Sequence, residues 1–237
     1  MNIAFVTATA KEMDSVIAAM DRNVTIPDRG SQTLDMESGR LYLVVTGIGP
    51  VNAGMETGKF LALHPDVDVV FNIGIAGSFD LDEAALGDVV CVSEEIYPEF
   101  GLATSAGVTT EHFSFNQYDD TSVHIGQTIA LQPEQNAAQL EFSLPQSWHR
   151  GSSVTVAGVS ADPERAQQIE TMHHPLVENM EGFAVALACC VQKTTFFEVR
   201  TISNRVGSRK KSDWRIKDAL AGLSRVGQTL FNAFFGK

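Results

Sequence analysis

Residues 176–191 constrain the fold more than any other stretch of the chain. Leu176 to Met180 reads as an apolar strand and Gly182 to Val191 as an apolar helix, with the acidic Glu181 at the junction. A strand that turns directly into an apolar helix belongs to an α/β sheet covered by helices. Such sheets place their ligands at the carboxyl ends of the strands, where Glu181 stands. A carboxylate there is costly to bury without partners. Two readings are open. Glu181 accepts hydrogen bonds from the hydroxyls of a sugar while Met180 covers the ring face, or it is a helix-start residue favoured by the macrodipole.

The remaining chain repeats the strand-to-helix pattern. Asn2 to Thr7 is a buried-type strand, and Thr9 and Glu12 have the capping-box spacing at the head of a helix reaching Met20, with Met13, Val16, Ile17 and Met20 on one face. Glu12 is therefore a cap, or a carboxylate at the top of the first strand facing the crevice of Glu181. Asp21 to Arg40 is polar and turn-rich, with a short strand near Leu34. A strand from Leu41 to Thr46 runs into Gly47-Ile48-Gly49-Pro50 and a helix from Val51 to Leu63. That turn suits a backbone cradle for an anion or a sugar. It is not a dinucleotide fingerprint, because the third glycine is missing and the turn does not follow the first strand.

Val67 to Phe71 is a third strand, followed by the glycine-bearing Asn72 to Ser78, which permits close backbone approach to a ligand or forms a tight turn. After a strand from Val89 to Ile96, residues 101–127 have weak periodicity, which predicts a lid or subunit-contact loop. Within it His112, His124, Asp119 and Asp120 lack metal-ligand spacing and read as solvated. Gly151 to Val159 is a strand, and Asp162-Pro163 opens a helix to Met172 that His173 and His174 terminate. Thr195 to Ile202 is the last strand and carries Arg200. Ser203 to Gly207 is its terminal loop, Ser208 to Asp213 is a polar segment with Arg209, Lys210 and Lys211, and Trp214 begins the final helix. No linker interrupts the 237 residues, so one domain over 1–237 is expected.

The net charge of −12 speaks against a nucleic-acid-binding face and against anionic membranes. Cys91, Cys189 and Cys190 make neither a disulfide framework nor a metal spacing, and no targeting pattern opens the chain, so a cytoplasmic protein without metal or organic cofactor is expected.

Four stretches carry a resemblance: Glu12 after the first strand, Gly47-Ile48-Gly49, Asn72-Ile73-Gly74-Ile75-Ala76-Gly77, and Met180-Glu181-Gly182 together with Arg200-Thr201-Ile202-Ser203-Asn204. In this order the chain resembles the nucleoside phosphorylase/nucleosidase superfamily of the purine and uridine phosphorylase type, from Met1 to about Leu220. Tyr97 to Thr104 and Ile202 to Gly207 bring it nearest to the futalosine hydrolases, nucleosidases of an alternative menaquinone pathway, and less near to the methylthioadenosine/S-adenosylhomocysteine nucleosidases. The resemblance implies a three-layer α/β/α sandwich around a central mixed, partly barrel-like sheet. It also implies a homo-oligomer, dimer or higher, in which Phe100 and the segment after it close a neighbour's substrate pocket.

The resemblance further implies N-ribosidic cleavage of a small-molecule nucleoside. Glu12 would activate water and Arg200 would lie near it. Glu181 would hold the ribose hydroxyls with Met180 against the ring, and Ile48, Gly49, Gly77 and Trp214 would complete the substrate site. Asn204 stands where the adenine-cleaving enzymes carry Asp. An amide donates to a 6-oxo oxygen and accepts from N7–H, which suits hypoxanthine. The phosphorylases have Arg at the position of Asn72 and a glycine-rich loop where this chain has Ala8-Thr9-Ala10, so hydrolysis is expected. Ile75 replaces a Ser found near the water in adenine nucleosidases. Futalosine bears an anionic benzoate arm, for which Arg209, Lys210 and Lys211 are candidates. An inosine or guanosine nucleosidase or phosphorylase, and a nucleoside-binding protein without turnover, are the alternatives.

Overall fold

The computed structural model describes residues 1–20, 24–105 and 107–236. It begins with β1 (Asn2–Thr7) and α1 (Ala10–Ile17), then β2 (Gly30–Met36) and β3 (Gly39–Val45) as an antiparallel pair. α2 (Pro50–Leu63), β4 (Val69–Ser78) and β5 (Val89–Ile96) follow. Two small hairpins come next, β6 (Leu102–Thr104) with β7 (Gly107–Thr109) and β8 (Tyr118–Asp119) with β9 (His124–Ile125). The chain continues through β10 (Thr128–Ala130), α3 (Pro133–Gln139), β11 (His149–Thr155), α4 (Pro163–His173), β12 (Val177–Asn179), α5 (Gly182–Gln192), β13 (Thr195–Arg205) and α6 (Ile216–Phe235).

The central strands read as continuous apolar runs because both of their faces are covered. In β1, Ile3 and Phe5 join one core with Met13 and Val16 of α1 and Leu223 and Val226 of α6. Ala4 and Val6 join the other, with Ala53 and Phe60 of α2 and Phe183 and Val185 of α5. β3 and β4 alternate in the same way, Leu43 and Phe71 to the first core, Tyr42 and Val70 to the second. The result is a layer of helices on each side of a mixed sheet, as expected.

The sheet runs β10-β5-β11-β12-β4-β1-β3-β2, and β13 pairs with both β4 and β5. The bridge closes β5, β11, β12, β4 and β13 into a ring, the barrel-like part of the sheet. β13 lies parallel to β4 and antiparallel to β5.

Several elements differ from the sequence reading. Asn72 to Ser78 is strand, not turn: β4 continues through it, paired with β13 from Thr195↔Val69 to Arg205↔Ser78. Its glycines serve close packing on this central strand. β13 likewise passes the expected stop at Ile202 and runs to Arg205, with a register shift between Ile202 and Asn204. That bulge inserts Ser203 and re-aims the residue after it. Residues 101–127 carry two hairpins, and α3 and β10 were not anticipated, because their periods are too short to read. α1 stops at Ile17, and α6 starts at Ile216, since Trp214 instead makes a bridge to Asn204. The turn-rich reading of Asp21 to Asn23, and Ala106 in the long loop, fall outside the described residues. Among the described residues, no helix is long and apolar enough to cross a membrane.

Candidate active site

A cavity of about 240 Å³ opens where the carboxyl ends of β1, β4 and β12 and the bulge of β13 converge, with Trp214, Ile216 and Leu220 on its outer side. Glu12, Ile48, Gly77, Met180, Glu181 and Asn204 all line it. These residues are far apart in sequence, and the sheet, with β1 and β13 parallel to β4 and β12 antiparallel to it, brings them together.

Glu12 is both cap and cavity wall. Thr9 Oγ1 accepts from Glu12 N at 3.2 Å, while Thr9 N donates back to Glu12 Oε2 at 3.0 Å, completing the capping box. The Thr9 hydroxyl also donates to Oε2, at 2.8 Å, and Ile75 N donates to Oε1 at 3.1 Å. Three donors hold the carboxylate, which is 7% exposed. Oε1 accepts only one of these bonds and keeps a lone pair available. The two sequence readings of Glu12 are thus compatible.

Glu181 stands at the N-cap of α5 and lines the cavity. Its side chain caps nothing in α5. Instead Gly49 N donates to Glu181 Oε1 at 2.9 Å. Gly49 has φ +93°, a backbone conformation that favours glycine, and this aims its N–H across the cavity. The start of α5 is capped by Asn179, whose Oδ1 accepts from Glu181 N and Gly182 N, each at 2.7 Å. Glu181 is 7% exposed. Burial raises its pKa above the ordinary 4.5, nearby Arg200 and the Gly49 N–H oppose the shift, and Glu12 adds to it.

Arg200 does not line the cavity. It is 1% exposed and packs behind β4, with Nε donating to Glu198 Oε1 at 2.8 Å and Nη2 to Asn179 Oδ1 at 3.3 Å. A Cβ built on Gly74 would overlap Arg200 Nη1 and stand 3.2 Å from Glu12 Oε1, so the guanidinium approaches the Glu12 end of the site through that glycine. Burial opposes its charge, and the carboxylates of Glu198 and Glu181 outweigh burial and keep its pKa raised.

Asn204 is half-buried. Ser203 Oγ lies within hydrogen-bond distance of Asn204 Oδ1 (2.8 Å) and of Ala76 O (3.1 Å), and Asn204 Nδ2 donates to Arg205 O at 3.0 Å. Trp214 closes the neighbouring wall, and its Nε1 donates to Ser208 O at 2.9 Å. Phe100 is not part of the cavity within one chain, since it packs edge-on against Phe113 at 5.3 Å. Arg209, Lys210 and Lys211 do not line it either: Arg209 sits over the Trp214 ring at 5.3 Å. Among the described residues lining the cavity, Lys11 is the one cation, and it is exposed. Sequence reasoning missed Lys11, and also Asn179, Glu95 and Glu198. Only the polar interruption of apolar strands by Glu95, Asn179 and Glu198 could have signalled the last three.

A family model described as the Phosphorylase superfamily matches residues 2–234. The chain belongs to the phosphorylase superfamily. It is 32% identical over 199 residues to the futalosine hydrolase of Thermus thermophilus, covering 81% of each chain. It is 30% identical over 232 residues to the futalosine hydrolase of Streptomyces coelicolor, covering 94% of this chain and 92% of the other. A solved structure of a futalosine hydrolase mutant of Helicobacter pylori superposes with a TM-score of 0.74 at 14% identity over 98% of this chain and 99% of that one. That likeness shows a shared fold, the three-layer arrangement around a mixed sheet described above.

Proposed function

We propose that the protein is a nucleosidase that hydrolyses futalosine to hypoxanthine and dehypoxanthine futalosine in the alternative menaquinone pathway. The observation that carries this reading is one cavity walled by two buried carboxylates, Glu12 and Glu181, with the amide of Asn204 beside them. The relatives named futalosine hydrolase supply the substrate.

Each step of the chemistry has a group. Glu12 Oε1, held by the Ile75 N–H, takes a proton from the attacking water with its free lone pair. General-base assistance of this kind contributes about 10²–10⁴-fold. Glu181, fixed by Gly49, accepts from the ribose hydroxyls, and its charge favours the cationic transition state. Asn204 donates to the 6-oxo oxygen of the leaving base and accepts from N7–H, the N7 proton coming from solvent, to which Glu12 returns the proton that it took from water. Met180 and Trp214 cover the apolar faces, and Lys11 is placed to meet the benzoate carboxylate.

Water is preferred to phosphate as nucleophile. Among the described residues lining the cavity the one cation is the exposed Lys11, and Arg200 is already committed to Glu198, so little charge is left to hold a phosphate ion. Asn72 is buried outside the cavity wall.

We also read the apolar surface at the cavity mouth as the contact between copies of the chain. Ile48 is 56%, Val51 80% and Met55 54% exposed, and Ile48 belongs to both this surface and the cavity. A second copy seated there would cover the open side of the substrate site. Val51→Asp should shift the protein to a monomer in gel filtration and reduce turnover. An unchanged elution volume would rule this surface out.

The functional test is base release by chromatography from futalosine and inosine, with and without phosphate, for wild type and Glu12→Gln. Hypoxanthine from futalosine independent of phosphate is expected, with Glu12→Gln slower by about 10²-fold or more at retained binding. Full activity of the variant would refute the role of Glu12. Phosphate-dependent cleavage of inosine would refute the hydrolase reading, and no release from either substrate would refute turnover.

A further inference from the structure

Behind the cavity floor lies a polar cage that the chemistry above does not use. Glu95 of β5 and Glu198 of β13 are both fully buried. Asn179 Nδ2 donates to Glu95 Oε1 at 2.6 Å and lies 3.2 Å from Glu198 Oε1. A Cβ built on Gly182 would stand no farther than 2.5 Å from Glu95 Oε1 and from both oxygens of Glu198. The two carboxyl groups therefore converge on the space that the missing side chain leaves. Arg200 is the cation bonded in this cage, through Glu198 Oε1. Glu198 Oε2, also buried, has no hydrogen-bond donor.

Two ionised carboxylates in such a cage would face one guanidinium and leave an uncompensated buried negative charge. The cost of burying that charge is normally avoided by protonation, and neighbouring carboxylates do not both ionise readily. A proton between them also supplies the donor that Glu198 Oε2 lacks. We propose that Glu95 is held protonated at neutral pH and donates to Glu198 Oε2, so that Glu95, Glu198 and Arg200 form a neutral positioning unit beneath the active site. Burial, and then the neighbouring Glu198, push the Glu95 pKa well above the ordinary 4.5, against the opposing hydrogen bonds of Thr155 and Ser153.

The unit reaches the cavity by two routes. Asn179, gripped through its amide nitrogen, caps the turn that carries Glu181. Arg200, gripped through Nε, presents its charge to Glu181 and its Nη1 to Gly74 beside Glu12. Glu95 anchors a third point, since its Oε2 accepts from the Thr155 hydroxyl at 2.7 Å and Thr155 Oγ1 accepts from Phe183 N at 2.8 Å. Glu95 and Glu198 are positioning residues. The protonation stands on the cage alone, and its effect on turnover rests on the nucleosidase reading.

The test is an infrared difference spectrum of the ligand-free protein at neutral pH, wild type minus Glu95→Gln. A carbonyl stretch of a protonated carboxyl, present in wild type and lost in the variant, is expected. A difference spectrum with only ionised carboxylate bands would overturn the proposal. Base-release kinetics on Glu95→Ala and Glu95→Gln, both checked for folding by thermal melting, give the second readout. Glu95→Ala should lower kcat by about tenfold or more, as the loss of a buried hydrogen bond to a charged group does. Glu95→Gln, whose NH₂ replaces the O–H donor but cannot accept as the Glu95 oxygens do from Asn179 and Thr155, should recover part of that loss. Equal loss in both variants would show that the donor is not what Glu95 supplies. If wild type released no base, the nucleosidase reading would fail while the infrared result still decided the protonation.

Discussion

Gly74→Ala is the most informative single substitution at this site, because the added carbon falls between its two charged groups. The new Cβ would overlap Arg200 Nη1 and lie 3.2 Å from Glu12 Oε1. Arg200 has little room to yield, being buried and tied to Glu198 at 2.8 Å and Asn179 at 3.3 Å. The strain therefore falls on β4, whose next residue, Ile75, donates to Glu12 Oε1 at 3.1 Å. A hydrogen bond to a charged group contributes about 1.5–3 kcal/mol. At 1.36 kcal/mol per factor of ten, its loss lowers kcat by about 10- to 150-fold. Overpacking adds a stability cost of about 1–3 kcal/mol, and each kcal/mol lowers Tm by about 2–4 °C in a chain of this size. Gly58→Ala is the control, since a Cβ there meets nothing within 4 Å. It sits inside α2, where Ala is favoured over Gly by roughly 0.5–1 kcal/mol, so Tm should rise slightly with kcat unchanged. Hypoxanthine release at saturating futalosine and thermal melts measure both variants. If Gly74→Ala lost stability but kept a wild-type kcat, the placement of Glu12 by β4 would be irrelevant to turnover.

Two further predictions concern the base and the pH profile. Asn204→Asp should lower hypoxanthine release by about 10- to 100-fold, the cost of mismatching one buried hydrogen-bond pair, and should permit adenine release from methylthioadenosine. Unchanged base preference would remove Asn204 from base recognition. In the proposed mechanism Glu181 binds the ribose as a carboxylate, and burial raises its pKa, so kcat/KM should fall as pH drops through a value above 4.5. An acid limb at or below 4.5 would mean that another group controls it.

The residues that line the cavity were legible in the chain because their chemistry is local. Glu181 is an acid at the junction of an apolar strand and an apolar helix, Thr9 and Glu12 share a capping box, and Asn204 follows a strand. The layered fold was legible for the same reason, as apolar strands alternate with apolar helices. Tertiary structure decided what each acid is bonded to. Glu181 was open to a capping role until Gly49, 132 positions away, was found donating to it. The strand path through Asn72 to Ser78 and the bulge at Ser203 depend on β13 lying beside β4, which no local period encodes. Arg200 was expected near the water; its Nη1 reaches the Glu12 end through Gly74, while Nε is bonded to Glu198, because a guanidinium on a central strand between two packed layers must find its counter-charge there. Glu95 reaches that cage from a strand 84 positions before Asn179. A sequence fixes which residues carry charge and where elements turn. Which buried charges share one space depends on how distant strands pair, and that is a property of the closed sheet.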